Sequence, residues 1–314
     1  MTGSIKQQIK QVVPAAVFVM IMITAAAIIS PSFRNAYNLR NIAAQVAVLA
    51  VAAIAQCSVL FIGGIDMSIS SVISISTIVV AMYSSESAAG MFFSLLLAVG
   101  IGAMTGFING IGVVKFQIPA MIITISTQAF LKGICLILMP SSGGQVNKQL
   151  VTFLKTRLGI LNVSILLAIL FYICAFVILH YTRFGRNIYA IGNGEKYAEQ
   201  SGIKVKKNIV IVYVISGVIA AIAGILLSAR ISTGNPLVGD SYAMDSVTAA
   251  VVGGISMNGG IGSVAGAFFG AIILTLVNNI MNNIGISPYY QYIAKGLILV
   301  LSLMIFQIKR KEKR

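Results

Sequence analysis

The sequence contains no tryptophan, one histidine and three cysteines, and these shortages exclude several kinds of functional site. His180 alone cannot form a histidine metal cluster, and we predict no metal site. Cys57, Cys135 and Cys174 are odd in number and lack the spacing of metal ligands, so we interpret them as small packing residues. There is no GxxxxGKS or GxxxxGKT motif and no other enzyme signature, so no catalytic residues are predicted. If the protein uses ATP, a separate subunit must bind it.

Charged side chains are also rare, at 9% of the residues, whereas 58% are hydrophobic and the mean hydropathy is +0.97. This composition excludes an ordinary soluble domain and indicates a lipid bilayer. A membrane-crossing helix needs about 20 mostly apolar residues. We therefore predict an all-α polytopic membrane protein with one transmembrane domain over residues 1–314 and some short or glycine-broken helices. Its ten predicted spans are 12–30, 41–62, 67–83, 91–113, 119–139, 161–181, 209–229, 244–257, 261–283 and 289–308.

Acidic residues are especially few, since 7 Asp and Glu stand against 22 Lys and Arg and give a net charge of +15. In a soluble protein this excess would indicate a nucleic-acid partner. Here the basic residues concentrate at Lys6, Lys10, Lys115, the loop 182–208 and the C-terminal KRKEKR, which share one side if the N terminus is cytoplasmic. Because positive loops face the cytoplasm, the charge predicts orientation, with both termini cytoplasmic and no nucleic-acid partner.

Asp66 and Asp245 are the acidic residues that we place within or beside the spans, and neither has an obvious basic partner in the sequence. Proton or ion coupling is therefore not expected. Asp66 follows a glycine pair and precedes a new span, so its carboxylate or Ser68 is expected to cap that helix N-terminus. We expect the same of Asp245. The alternative for Asp66 is a hydrogen-bond acceptor or gate on a substrate path.

Uncharged polar side chains inside the spans predict a path for a neutral, hydroxyl-rich solute. Polar groups in a bilayer should face protein or water, and here they recur on single helix faces. Gln45 and Gln56 are about three turns apart, and Ser70 and Ser74 are about one turn apart. The alternative is that these groups form hydrogen bonds between helices. The predicted path residues are Gln45, Gln56, Asp66, Ser70, Ser74, Thr124, Thr127, Gln128 and Asn279.

Two glycine-rich segments, GGIDM at 63–67 and GGISM at 253–257, resemble each other, and each lies between two predicted spans. Paired glycine breaks in membrane helices often mark a substrate path. Other glycines, such as Gly102 and Gly106, recur at helical spacing and predict close helix packing. The predicted hinge residues are Gly63, Gly64, Gly253, Gly254, Gly259 and Gly260.

Five segments together resemble the membrane subunit of bacterial ABC importers of the ribose type, which take up monosaccharides delivered by a periplasmic binding protein. GGIDMSISS at 63–71 is similar to the family's GGIDLSVGS, and AVVGGISMNGGIGSVAGAFFGA at 250–271 contains a segment similar to GGTSLxGGxGS. The other matching segments are IPAMIITISTQAFLKG at 118–133, RFGRNIYAIGNGEKYAEQSGIKV at 183–205 and SPYYQYIAKGLILVL at 287–301. The resemblance covers nearly the whole chain, but it is much less specific for the substrate.

The resemblance implies two permease copies, identical or paralogous, with two ATPase subunits that bind ATP and Mg²⁺ and a periplasmic or lipoprotein sugar-binding protein. This chain itself would bind no cofactor. The resemblance also implies that the inner loop 182–208 contains a short helix that fits a groove on the ATPase. The loop keeps the family's terminating glycine, Gly202, and departs from the family pattern at Tyr197, Glu199 and Gln200. The predicted coupling residues are Gly192, Glu195, Ala198, Glu199, Ser201 and Gly202.

The predicted function is the membrane subunit of an ATP-driven importer that passes a monosaccharide into the cytoplasm by alternating access. The protein is expected in the bacterial cytoplasmic membrane, with the binding protein docking near residues 140–160 and 231–244. Two alternatives stay open: an importer of nucleosides or branched-chain amino acids of the same broad class, and a stand-alone channel or secondary carrier.

Overall fold

The structure is a computed structural model that describes residues 2–29, 31–84, 87–158 and 161–311. The side chains of Lys6, Lys10 and the basic C-terminal tail lie outside the described part. The described residues form thirteen α-helices, one 3-10 turn at Pro31–Arg34 and one antiparallel pair of two-residue strands, β1 (Arg157–Leu158) and β2 (Leu161–Asn162). The helices are α1 (Thr2–Ile29), α2 (Ala36–Phe61), α3 (Ile69–Tyr83), α4 (Ala88–Val114), α5 (Ala120–Leu138), α6 (Lys148–Lys155), α7 (Val163–Tyr181), α8 (Arg183–Asn193), α9 (Glu195–Gln200), α10 (Val205–Ile231), α11 (Asp240–Val252), α12 (Val264–Asn283) and α13 (Pro288–Lys311).

The helices confirm the all-α membrane fold. Six of them, α2, α4, α5, α7, α10 and α12, are long and apolar enough to cross a membrane, and α1, α3 and α13 contain shorter apolar stretches. Every predicted span overlaps a helix. The span predicted at 244–257 is shifted, because α11 covers Asp240–Val252 and ends at the glycine pair, although the apolar residues continue to Met257. Ten crossings with both termini cytoplasmic stay a prediction.

α10 is the central helix and packs mainly against α4, α3 and α2. Glycines make the contact with α4 possible. A Cβ atom on Gly102 would lie 2.3 Å from the carbonyl oxygen of Gly217, and one on Gly106 would lie 2.1 Å from that of Tyr213. Since real Cβ atoms do not approach backbone atoms this closely, only glycine permits these helices to touch, as the helical spacing of the glycines predicts.

The connections between helices gather at two ends of the bundle. At one end, which we call the hinge end, the breaks 62–68 and 253–263 meet α8, and the backbone N–H of Gly260 donates to the carbonyl oxygen of Phe61 at 3.0 Å. At the other end, which we call the loop end, Gly143 and Gly234 exchange backbone hydrogen bonds of 3.0 and 2.9 Å. These two ends contain the features on which the functional interpretation depends.

Candidate functional site

Asp66 lies in the break between α2 and α3, with 1% of its surface exposed. Its Oδ1 atom accepts hydrogen bonds from the backbone N–H of Ser68 at 3.0 Å and from the Ser68 hydroxyl at 2.6 Å. That backbone bond closes a turn before α3. The N-cap residue of α3 is Ser68, which makes no side-chain capping bond, so the cap expected of Asp66 or Ser68 on the α3 amides is not formed. The Asp66 Oδ2 atom accepts from the hydroxyl of Ser216 in α10, at 2.8 Å. The carboxylate therefore also connects α3 to the central helix, a link that the sequence reasoning missed.

The hydrogen bonds around Asp66 extend to three more helices. Asn109 of α4 donates through Nδ2 to the Ser68 hydroxyl at 2.9 Å, and the Thr127 hydroxyl of α5 donates to Asn109 Oδ1 at 2.8 Å. When the Gln56 amide of α2 is oriented to satisfy both partners, it donates to Asp66 O at 2.9 Å and accepts from Asp66 N at 3.2 Å. We call this cluster the Asp66 network; its members are Gln56, Asp66, Ser68, Asn109, Thr127 and Ser216.

Four further predicted path residues, Ser70, Ser74, Thr124 and Gln128, also make hydrogen bonds to other segments of the bundle. Gln128 Nε2 donates to the Ser70 hydroxyl at 3.0 Å, and the backbone N–H of Gly239 donates to the Ser74 hydroxyl at 3.0 Å. The Thr124 hydroxyl donates to the carbonyl oxygen of Ile65 at 3.1 Å. Ser70, Ser74 and Thr124 are all buried. The bond between Gln128 and Ser70 joins two helices, as the alternative weighed for these residues predicts, whereas Ser74 and Thr124 bind backbone groups of the connections before α11 and α3.

The structure does not bring Gln45 and Asn279 to the Asp66 network. Gln45 lies about 16 Å along α2 from Gln56, toward the loop end. Asn279 of α12 exchanges side-chain hydrogen bonds of 3.2 and 2.7 Å with Asn38, in the first turn of α2. Both residues therefore lie nearer the loop end of the bundle than the Asp66 network does.

Two ion pairs join membrane helices, and the sequence reasoning missed both. Lys132 of α5 pairs with Asp240 of α11 at 2.6 Å, and each side chain is 39% exposed. Lys295 of α13 pairs with Asp245 of α11 at 2.9 Å, with side chains only 11% and 9% exposed. The expectation that Asp245 caps a helix without a basic partner is wrong, because α11 begins five residues earlier, at Asp240.

Three of the six predicted hinge glycines, Gly63, Gly259 and Gly260, meet each other and α8 at one point, whereas Gly64 packs on Tyr213 and Gly254 has no close neighbour. A Cβ atom on Gly192 of α8 would lie 1.9 Å from the carbonyl oxygen of Phe61 and 2.4 Å from the backbone N of Gly260. One on Gly259 would lie 2.8 Å from the backbone N of Gly63 and 3.0 Å from Gly192 Cα. We call this contact, formed by Phe61, Gly63, Gly192, Gly259 and Gly260, the hinge junction. Gly253 contributes differently, since it packs on Gly266 of α12.

The loop 182–208 contains the short helix that was predicted, as α9, preceded by α8. The helix ends before Gly202, whose φ of 78° is a conformation that favours glycine. Ala198 is buried, whereas Tyr197 and Glu199 are exposed and form a surface open to a partner. α8 is fixed to both hinges, because Tyr189 donates to the carbonyl oxygen of Gly262 at 3.0 Å and packs on the Phe61 ring. Burial raises the pKa of the Tyr189 phenol well above its ordinary value, so it stays a neutral donor.

A cavity of about 440 Å³ at the hinge end brings the first hinge and the coupling loop together. Gly63 and Gly64 line it from the hinge, and Glu195 and Glu199 line it from α9. Tyr213 of α10 lines it as well. A displacement of α9 therefore acts directly on the space beside the first hinge.

Substitutions of Asp66 test its hydrogen bonds to Ser68 and Ser216. In Asp66→Asn, the remaining carbonyl oxygen still accepts from Ser68 and the new amide donates to Ser216, so we expect near-native protein levels in the membrane and retained uptake. Asp66→Ala leaves buried donors without an acceptor, and each unsatisfied donor destabilises the fold by about 1–3 kcal/mol. We therefore expect the amount of this variant in the membrane to be several-fold lower. Quantitative immunoblotting and solute uptake measure both. Loss of uptake in a well-assembled Asp66→Asn protein would contradict a purely structural role.

The fold and its buried polar network define a polytopic helical membrane protein with glycine-broken helices around a central helix. Residues 38–303 match the protein family described as branched-chain amino acid transport system / permease component, and the chain belongs to this family.

Relatives within the curated proteins are sugar permeases by name. The chain is 36% identical to the ribose import permease protein RbsC of Haemophilus influenzae over 91% of this chain and 90% of that protein. It is 34% identical to RbsC of Escherichia coli K12, with the same coverage, and 31% identical to the galactose/methyl galactoside import permease protein MglC of Salmonella typhimurium over 95% of each chain. No solved structure matches the chain. The resemblance to ribose-type permeases is thereby confirmed.

Proposed function

We propose that this protein is the membrane-spanning subunit of an ATP-driven importer that admits a monosaccharide. The observation that carries the proposal is the similarity, over nine-tenths of the chain, to permeases named for ribose and galactose import. The family description itself is broader and includes branched-chain amino acids. The names of the relatives favour a sugar over an amino acid or a nucleoside. The length of the match argues against a stand-alone channel or secondary carrier.

The assembly that we propose contains two permease copies, identical or paralogous, and two ATPase subunits that bind ATP and Mg²⁺. A periplasmic or lipoprotein sugar-binding protein docks at the loop end, near residues 140–160 and 231–244. Residues 1–314 form one transmembrane domain that crosses the cytoplasmic membrane ten times with both termini inside. The chain itself catalyses no reaction.

Coupling in this proposal runs from α9 to the two hinges. The ATPase contacts the exposed side chains of α9, and α8 transmits the movement because Gly192 touches the backbones of Phe61 and Gly260. Since α3 and α12 each begin after one of these hinges, tilting α8 changes the direction of both helices together. This geometry supports alternating access with the hinge end as the cytoplasmic side.

The sugar path is proposed to follow the face of α5 that contains Gln128 and Lys132. Lys132 and its partner Asp240 are more than one-third exposed, yet Lys132 lies inside α5, which is long and apolar enough to cross a membrane. A charged side chain facing the middle of the bilayer costs roughly 2.5–3.5 kcal/mol. Their exposed surface therefore faces water or protein instead of lipid. Ser70 of α3 accepts a hydrogen bond from Gln128 and so holds this side chain in position on α5.

Cysteine accessibility tests the path. In a chain whose native cysteines are replaced by alanine, we expect Gln128→Cys to react with a hydrophilic methanethiosulfonate at least tenfold faster than Phe130→Cys. Phe130 is an exposed α5 residue on another side of the helix and serves as the matched control. Equal, slow rates would show that this face of α5 is not open to water.

Copurification tests the importer itself. We expect an ATPase subunit to elute with the native chain and with Gln149→Arg, an exposed substitution at the loop end, but not with Glu199→Arg on α9. The native complex in liposomes should then import sugar only with ATP and the binding protein. A stable native chain that elutes alone and moves solute without ATP would contradict the importer and favour the carrier. Screening the binding protein against ribose, galactose, nucleosides and branched-chain amino acids determines the substrate.

A further inference from the structure

A second cavity, of about 300 Å³, lies at the loop end, beside the segment 140–160 where the binding protein is proposed to dock. It is enclosed by the first turns of α2 and α7, the end of α6 with β1, and the end of α10. Four basic side chains line it, from four different segments of the chain: Arg40, Lys155, Arg157 and Arg230.

These four positive charges have no carboxylate partner among the described side chains. No acidic residue lines the cavity, and the two ion pairs of the described residues, Lys132–Asp240 and Lys295–Asp245, involve other cations. The hydrogen bonds at the cavity are to neutral groups: Arg230 Nη2 donates to Asn41 Oδ1 at 3.3 Å, and Lys155 Nζ donates to the Ser232 hydroxyl at 3.1 Å. Since like charges gathered in one cleft repel each other, an anion from outside the chain would stabilise this arrangement.

The shape and chemistry of the cleft favour phosphate as that anion. Guanidinium groups present paired N–H donors that match the oxygen atoms of a phosphate, and Arg40 and Arg230 are half-buried in the cleft, where such a bond is least screened. Asn162 and Ser164 add neutral groups at the start of α7, where the helix dipole also favours a negative charge.

Another part of the cavity wall is apolar. Ala44, Leu154, Leu226 and Ala229 contribute to it. The helices α2 and α7, both long and apolar enough to cross a membrane, begin here, so the cleft lies at the depth of lipid headgroups. A ligand with a phosphate beside a hydrocarbon region would contact both parts of this wall.

We infer that this cavity is a phosphate-binding site and that the headgroup of an anionic phospholipid supplies the phosphate. Inorganic phosphate has the same chemistry without the hydrocarbon. The cavity shares no residue with the proposed sugar path, although Lys155 and Arg157 belong to the segment 140–160 where the binding protein is proposed to dock. Lipid retention is measured without sugar or binding protein, so its failure is distinguishable from a failure of the proposed transport function.

Lipid retention by the full chain, purified with its accompanying subunits, tests the site. We compare the native protein with Arg40→Gln/Arg230→Gln and with Lys155→Gln/Arg157→Gln, whose exposed side chains make misfolding less of a concern. Arg34→Gln/Lys148→Gln is the matched control, because it removes two exposed positive charges at the same end but outside the cavity. Delipidated samples are titrated with phosphatidylglycerol, phosphatidylcholine or inorganic phosphate and measured by native mass spectrometry and thermal melting.

We expect the native and control proteins to retain phosphatidylglycerol at concentrations at least tenfold lower than either cavity variant requires, and to prefer it to phosphatidylcholine. Stabilisation by inorganic phosphate alone, lost in the cavity variants, would assign the same site to free phosphate. Equal retention of phosphatidylglycerol by all four proteins, without any effect of phosphate, would overturn the proposal. Cavity variants that keep the lipid but lose sugar uptake would instead indicate a docking surface for acidic groups of the binding protein.

Discussion

Gly192→Ala is expected to reduce sugar uptake at least tenfold. The added methyl group would lie 1.9 Å from the carbonyl oxygen of Phe61 and 2.4 Å from the backbone N of Gly260, so α8 must move away from both hinges. Overpacking a well-packed contact typically costs about 1–3 kcal/mol, and here the opposing atoms belong to backbone that cannot rotate away. The hydrogen bond between Phe61 and Gly260 lies in the same contact and is expected to be lost or lengthened.

Three measurements separate a coupling defect from misfolding: the level of the protein in the membrane, ATP hydrolysis by the purified complex, and uptake. We expect the first two to persist while uptake is lost, because the variant disconnects α8 from the hinges and leaves the exposed face of α9 intact. Gly100→Ala is the matched control, since a Cβ atom there meets no atom within 4 Å. Native uptake by Gly192→Ala would contradict the role of the hinge junction in coupling. If the amount of protein in the membrane fell as much as uptake did, the hinge junction would be only a packing contact.

The positions of the helices were largely predictable, because long apolar runs bounded by charged residues or glycine are a local property of the sequence. α11 shows where this reasoning fails. Its apolar pattern continues to Met257, but the backbone turns at Gly253 and Gly254, and its first residue, Asp240, is a charge that hydropathy assigns to a loop. That charge pairs with Lys132, a residue of another helix. A sequence window does not contain this partner.

The site was predicted in part for the same reason. The bond from Ser68 to Asp66 is local, since the two residues are two positions apart, but it forms a turn before α3 and not the predicted cap on α3. The contact with Ser216 depends on how α10 is rotated against α3, and no short-range pattern specifies that rotation. Likewise, the similar glycine segments at 63–67 and 253–257 indicate two hinges, but only the fold shows that they touch and that Gly192 lies between them.

Asp245→Ala is expected to lower the amount of folded protein severely, because it leaves the Lys295 ammonium group buried without a carboxylate. Removing one partner of a buried ion pair costs about 3–5 kcal/mol, which is a large share of the roughly 5–15 kcal/mol that stabilises a folded protein. The lost stability concerns the attachment of α13, because α13 packs mainly against α11 and only weakly against α12. Its attachment to the bundle therefore depends strongly on this pair. Fluorescence-detected size exclusion measures the folded fraction.

Two further variants make this test specific to the buried charge. Asp245→Ala combined with Lys295→Met removes both charges, and we expect it to recover much of the native level, since apolar groups can replace a buried ion pair with little loss. Asp240→Ala is the matched control: its partner Lys132 is 39% exposed and stays hydrated, so the loss is expected to be about 1 kcal/mol or less. If the double variant were as depleted as Asp245→Ala, the defect would arise from lost packing in α11. If Asp240→Ala were the more severe variant, the exposed pair, and not the buried one, would hold the bundle together.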